Sequence, residues 1–262
     1  MILYNGKTFN NEDIHIKKLE KEYCIYEVIR IFKGKPIFLN DNINRLKNSL
    51  NKANINFDVD NSNLRSKLDL LVQKDNIIDG NFKYLLHITN INSIDEILFQ
   101  IPHNYPSEEN YKSGVNTVTY HAVRQNPEIK YINNTLREDT NKLIKDLNIF
   151  EVILFDDSNI ITEGSRSNIF FIKDDIVYTA PLTYVLPGTN RKRVIEICKK
   201  LNIKLIEKPI YLKDVDKYDS SFITGTSPLV LPIKKIDKIA MNVKNKLTQQ
   251  IMKEYLRIVH NL

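Results

Sequence analysis

The sequence predicts an α/β protein of two domains. Strand-like apolar runs alternate with segments whose apolar residues recur every three or four positions. The stretch Pro102-His103-Asn104-Tyr105-Pro106-Ser107-Glu108-Glu109-Asn110 interrupts both periodicities with prolines and polar residues. With 262 residues, 42% of them hydrophobic, the chain can bury more than one small core. The expected division is 1–106, a linker at 107–113, and 114–262.

Residues 23–39 read as two strands joined by a turn at Gly34. Asp41 is placed to cap a helix that carries Ile43, Leu46 and Leu50 on one face, with Arg45 beside that face. Leu64, Leu68, Leu71 and Val72 mark a second helix, and 82–89 and 96–101 are strands. Beyond the linker, 115–123 is strand-like. Lys130 follows, then a helix near 133–147 with Leu136, Leu143, Ile144 and Leu147. Ile160-Ile161 and the strand at 169–172 flank a small polar run that reads equally as a hairpin connection or as a turn that aims Glu163 into a cleft. Val194, Ile195, Cys198 and Leu201 have helical spacing, and Phe222-Ile223 and 229–233 are strands around a turn. An amphipathic helix near 243–259 closes the chain, its stripe of Leu247, Ile251, Tyr255 and Val259 serving the core.

Composition narrows the function. The net charge is +6, but the lysines are scattered, so no nucleic-acid partner is expected. No apolar run approaches transmembrane length, and the N-terminus lacks the apolar core of a signal peptide, so no membrane is expected either. Cys24 and Cys198 are far apart and have no metal-ligand spacing. Neither a disulfide framework nor a metal site is expected, and a cytoplasmic location fits.

Four segments suggest chemistry. In Thr162-Glu163-Gly164-Ser165-Arg166-Ser167-Asn168, an acid at a strand end precedes a tight turn that supplies backbone and hydroxyl donors. Lys130 lies between two structured elements; as a desolvated amine it would serve as a nucleophile, although an ordinary lysine there is solvated. In Val185-Leu186-Pro187-Gly188-Thr189-Asn190-Arg191, a glycine leads into a helix start, which is a phosphate-binding arrangement or a plain N-cap. Phe222-Ile223-Thr224-Gly225-Thr226-Ser227-Pro228 offers another donor cluster after a strand, or simply a turn.

In this order the segments resemble the class IV aminotransferase family, the fold-type IV pyridoxal-phosphate enzymes. Tyr26-Glu27-Val28-Ile29-Arg30 and Asn44-Arg45-Leu46 extend the likeness toward the N-terminus. The resemblance implies an N-terminal α/β domain, a C-terminal barrel-like α/β domain, pyridoxal 5'-phosphate as cofactor, and a homodimer. Lys130 matches the lysine that joins the cofactor as a Schiff base and moves the substrate proton. Glu163 matches the acid that pairs with the ring nitrogen. Arg45, Thr189, Asn190 and Thr226 match the phosphate set. Tyr26 and Ser227 match substrate-pocket positions.

Two departures stand out. The phosphate helix begins Gly188-Thr189-Asn190-Arg191 where many members have Gly-Ile-Thr-Arg. The strand at 82–89 lacks the Arg-Gly carboxylate trap of D-amino-acid aminotransferases. It leaves His87 and Asn90 as substrate-binding candidates, His87 reading equally as a satisfied strand histidine. The expected activity is transfer of an amino group between a small amino acid and a 2-oxo acid. Its rivals are an aminodeoxychorismate lyase on the same scaffold, releasing 4-aminobenzoate and pyruvate, and a cofactor-binding protein without turnover.

Overall fold

The computed structural model describes residues 1–10, 12–90 and 93–261. It divides into two units, one formed by Met1–Asn104 with Ile129–Asn134, the other by Tyr105–Glu128 with Thr135–Leu262.

In the first unit, the strands are β1 (Ile2–Tyr4), β2 (Lys7–Phe9), β3 (Cys24–Phe32), β4 (Lys35–Pro36), β5 (Gly80–Asn90) and β6 (Ser93–Ile101). They form an antiparallel sheet in the order β2-β1-β6-β5-β3-β4. The helices are α1 (Ile16–Leu19), α2 (Leu39–Lys52) and α3 (Asn61–Lys74). Because side chains alternate along a strand, β3 and β5 each present two faces. Ile25, Ile29 and Ile31, with Phe82, Tyr84 and Leu86, pack against Ile43, Leu46 and Leu50 of α2 and Leu64, Leu68 and Leu71 of α3. Burying each such aliphatic side chain contributes about 1.5–3 kcal/mol. Cys24, Tyr26 and Leu85 lie on the other face with Ile2, Ile97 and Phe99, under Ile16 and Leu19 of α1.

The two long helices start differently. Asp60 caps α3 by accepting from the backbone N–H of Ser62 at 2.8 Å and of Asn63 at 3.2 Å. The expectation that Asp41 caps α2 is corrected. The cap position is Phe38, left-handed at φ 55° and without a side-chain cap. Asp41 instead lies in the first turn, where its charge meets the positive end of the helix dipole.

Strand β3 has an open edge at its start, and residues Ile129–Asn134 occupy it. Ile25 bridges Tyr131, Tyr26 N–H donates to the Lys130 carbonyl at 3.0 Å, and Ile132 N–H donates to the Cys24 carbonyl at 3.2 Å.

In the second unit, Ser107 and Asn110 form a capping box on α4 (Glu108–Ser113). The strands are β7 (Val115–His121), β8 (Glu151–Phe155), β9 (Ile160–Gly164), β10 (Asn168–Lys173), β11 (Ile176–Thr179), β12 (Leu205–Glu207), β13 (Ile210–Tyr211), β14 (Ser220–Gly225), β15 (Leu229–Ile236) and β16 (Ile239–Ala240). They run in the order β12-β11-β10-β14-β15-β7-β8-β9-β13, with β16 beside β15. The remaining helices are α5 (Asn134–Asp146), α6 (Thr189–Lys200) and α7 (Lys246–His260). Strands β7 and β8 are parallel, so the chain needs a crossover between them, and α5 lies on that crossover. Leu247, Ile251, Tyr255 and Val259 of α7 are all buried, as a core stripe should be.

The hairpin connection that is the plain alternative around Glu163 has no ladder between its two strands. Strand β9 pairs with β8 and β13, whereas β10 pairs with β11 and β14. The polar run therefore carries the chain from one set of partners to another, with Glu163 at the point of departure. No described helix is long and apolar enough to cross a membrane.

Candidate active site

Glu163, near the end of β9, is 2% exposed. An unpaired carboxylate buried this deeply would cost several kcal/mol. Three donors offset that cost. Arg124 Nη1 donates to Oε1 at 2.6 Å, while Asn168 Nδ2 at 3.2 Å and the Leu186 N–H at 3.0 Å donate to Oε2. Neither Arg124 nor Asn168 had a role in the sequence reading. Asn168 lay inside the conspicuous run, but Arg124 comes from the segment after β7 and has no local signal.

The turn after Glu163 is fixed by a second buried carboxylate. Glu151 Oε1 accepts from Val152 N–H at 2.9 Å and Ser165 Oγ at 2.6 Å; its Oε2 accepts from Arg166 N–H at 3.3 Å and Ser167 Oγ at 2.8 Å. A Cβ on Gly164 would stand 2.1 Å from Ser167 Oγ and 3.1 Å from the Glu151 carboxylate, so a larger residue there would displace the side chains that fix the turn.

Asn168 also ties Glu163 to the start of α6. Its Nδ2 donates to the Leu186 carbonyl at 3.1 Å, and a Cβ on Gly188 would lie 2.0 Å from its Oδ1. Gly188 is the N-cap of α6 and provides no side-chain cap, so Thr189 and Asn190 open the helix with backbone donors that no cap side chain takes. The Asn190 side chain is held in place, its Oδ1 accepting from the Tyr255 hydroxyl and its Nδ2 donating to Thr189 Oγ1 at 3.4 Å. Strand β14 pairs with β10, with Asn168 opposite Thr224, and a Cβ on Gly225 would come within 3.3 Å of the Arg166 carbonyl. Half-buried Thr226 and Ser227 follow directly. The second unit thus links Glu163, the α6 start and the Thr226 turn through Asn168 and Arg166.

In the first unit, Lys130 is half-buried on the added edge of β3. Its N–H donates to Ser49 Oγ of α2 at 3.3 Å, and its Nζ stands 4.8 Å from the centroid of the Tyr26 ring. Arg45 lies on the other face of the sheet, 8% exposed. Its Nε and Nη2 grip both oxygens of Glu27 at 2.7 and 2.6 Å, and Asn42 Nδ2 joins the same carboxylate at 2.9 Å. The bidentate pair fixes the direction of the guanidinium. Glu27 stood beside Tyr26 in the sequence without a role.

His87 is buried on the Tyr26 face, with Nε2 2.7 Å from Glu22 Oε2 and Nδ1 3.4 Å from Asp95 Oδ2. Burial pushes the Asp95 carboxyl up, but hydrogen bonds from Asn5, Tyr4 and His87 outweigh it and hold the group below the usual carboxylate range. This is the environment of a satisfied strand histidine. Asn90 is exposed at the end of β5.

The donor set fits the cofactor that the resemblance implies. A buried carboxylate suits a cationic ring nitrogen, an uncapped helix start suits a phosphate, and a half-buried amine over an aromatic ring suits attachment to a carbonyl carbon.

Comparison with known proteins gives the same answer. The family model for amino-transferase class IV matches residues 24–236. D-alanine aminotransferase of Bacillus licheniformis is 25% identical, over 98% of this chain and 99% of its own length. A branched-chain aminotransferase of Escherichia coli has a TM-score of 0.86 at 21% identity, covering 98% of this chain and 93% of that one. Another, from T.th. and with pyridoxamine 5'-phosphate, has a TM-score of 0.82 at 19% identity, with coverage of 98% and 93%.

Proposed function

The chain belongs to the class IV aminotransferase family, and on that premise we propose that it moves an amino group between a small amino acid and a 2-oxo acid, using the residues named above. Its cofactor is pyridoxal 5'-phosphate. When bound, the cofactor supplies an electron sink for the pair released when a substrate Cα–H bond breaks.

Each side chain then has a task. Lys130 Nζ would hold the cofactor until the substrate amine displaces it, and the freed Nζ would then take the proton from the substrate Cα and pass it to the cofactor carbon. Glu163 keeps a proton on the ring nitrogen by facing it with a negative charge, and Arg124, Asn168 and the Leu186 N–H fix the carboxylate. Arg45, Thr189, Asn190 and Thr226 bind the phosphate. Tyr26, Ser227 and Asn90 line the substrate side, while His87, buried and held by Glu22 and Asp95, keeps a structural place. The observation that carries the reading is the buried Glu163 carboxylate, tied through Asn168 to a helix start without a side-chain cap. The proposed assembly is a homodimer in the cytoplasm. The two buried, unbridged thiols support a reducing compartment.

The test is the absorbance of purified protein with pyridoxal phosphate, before and after L- and D-forms of alanine, leucine and glutamate. Lysine-bound cofactor should give a visible band that shifts to the pyridoxamine form with one handedness of donor and releases a 2-oxo acid. Lys130→Ala should lack the band. A wild-type protein without it, or a Lys130→Ala protein that keeps it, refutes the assignment. A band indifferent to every amino acid, with pyruvate released from aminodeoxychorismate, points to the lyase.

A further inference from the structure

We propose that Lys83 is the cation that receives a carboxylate of the substrate, in exchange for the carboxylate of Glu20. The inference rests on the aminotransferase reading above. Lys83 stands on β5, opposite Val28 of β3 and Phe99 of β6, on the face that carries Tyr26. It is 8% exposed. A buried ammonium is costly unless its charge and its three N–H donors are met. Glu20, just past α1, takes one donor. The rings of Tyr26 and Phe99, with centroids 5.2 and 6.0 Å from Nζ, attract the charge without supplying an ordinary acceptor. Two donors therefore have no protein acceptor among the described residues.

The position of Tyr26 makes this more than a structural ion pair. Its ring also carries Lys130 Nζ, so the two amines lie within ~10 Å of one another. Consider an amino acid whose nitrogen stands where Lys130 Nζ stands. At ~1.5 Å per bond, its α-carboxylate reaches about 3 Å and a side-chain carboxylate about 5 Å. With a charge-assisted hydrogen bond of about 2.8 Å, the reach becomes ~6 Å for the α-carboxylate and ~8 Å for a side-chain carboxylate, so the longer arm suits the ~10 Å limit better. Glu20 is suited to give way, because its side chain is 23% exposed and sits at the end of a four-residue helix. The neighbouring acids Glu22 and Asp95 are engaged by His87. Strand β5 has no arginine, so its lysine is the group available for a carboxylate.

Calorimetric titration of the holoenzyme tests the proposal with three unreactive probes: glutarate, 4-methylpentanoate and 4-methylpentanamide. Lys83→Met should weaken acid binding ~10- to 100-fold and leave the amide within about twofold. Loss for 4-methylpentanoate assigns Lys83 to the α-carboxylate, and loss for glutarate alone assigns it to a side-chain carboxylate. Lys83→Arg should recover most of the affinity. Equal changes for acids and amide, or no change, overturn the proposal. If Lys83→Met does not fold, Glu20→Gln decides: the acids should bind more tightly, and unchanged or weaker binding overturns the exchange. The visible band of the same samples separates the two levels of failure. A wild-type protein without the band loses the aminotransferase reading and this inference together. A normal band with acid affinities unchanged in Lys83→Met removes Lys83 alone.

Discussion

Glu163→Gln separates charge from shape at one position. The amide keeps the size of the side chain but replaces one acceptor oxygen with a donor. That NH2 must face either Arg124 Nη1 or the Asn168 and Leu186 donors, all of which now point at the carboxylate. Arg124 also loses its charged partner. Because its side chain is 22% exposed, the cost should be about 2 kcal/mol, below the ~3–5 kcal/mol of a fully buried pair. On the proposed pairing, loss of the anion should leave the ring nitrogen unprotonated, and turnover at saturating cofactor should fall on the order of 10²-fold. Single-turnover rates check this, and parental rates in the variant would reject the electronic role. Glu163 itself was legible in the sequence, because an acid at a strand end before a glycine turn is a local signal. Its partners were not. Asn168 opens β10, which pairs with other strands than β9 does, and Arg124 comes from the segment after β7, so no short-range pattern links either of them to Glu163.

Elements were legible where burial alone sets them. The apolar spacing through Leu64, Leu68 and Leu71 gave α3, and the stripe from Leu247 to Val259 gave α7, because an amphipathic face has one stable destination. The start of α2 was missed because a left-handed Phe38 replaces the side-chain cap. Strand β3 and helix α6 also share a property that composition alone could not show. Each buries a thiol, and burial pushes both Cys24 and Cys198 up to about 12, with Glu20 and Glu22 adding to the shift at Cys24. Neither thiol should react with a maleimide at pH 8 in the native protein, and both should react in denaturant. Rapid native labelling would contradict the burial. The linkage has a definite sign. The unfolded thiols ionise near 9 while the folded ones stay protonated, so their contribution is complete below about pH 9 and declines as pH rises toward 12. Cys198→Ala should flatten that decline in unfolding curves measured across the window.

At the scale of the whole chain, cofactor binding must appear as stability, because a ligand that binds only the folded state lowers its free energy. At 100 times the dissociation constant the gain is about 2.7 kcal/mol. For a protein of this size each kcal/mol moves the melting temperature by ~2–4 °C, so pyridoxal phosphate should raise Tm by about 5–10 °C. Two contributions to that gain can be separated. Lys130→Ala should remove the proposed covalent attachment and leave the proposed phosphate donors, so part of the shift should survive. Arg45→Ala removes a charge that Glu27 and Asn42 hold in one direction, and it should cut the shift at a fixed cofactor concentration. Thermal melts with and without cofactor on the three proteins check this. An Arg45→Ala shift equal to that of the parent would remove Arg45 from the phosphate set, leaving its pair with Glu27 as a tie between α2 and β3.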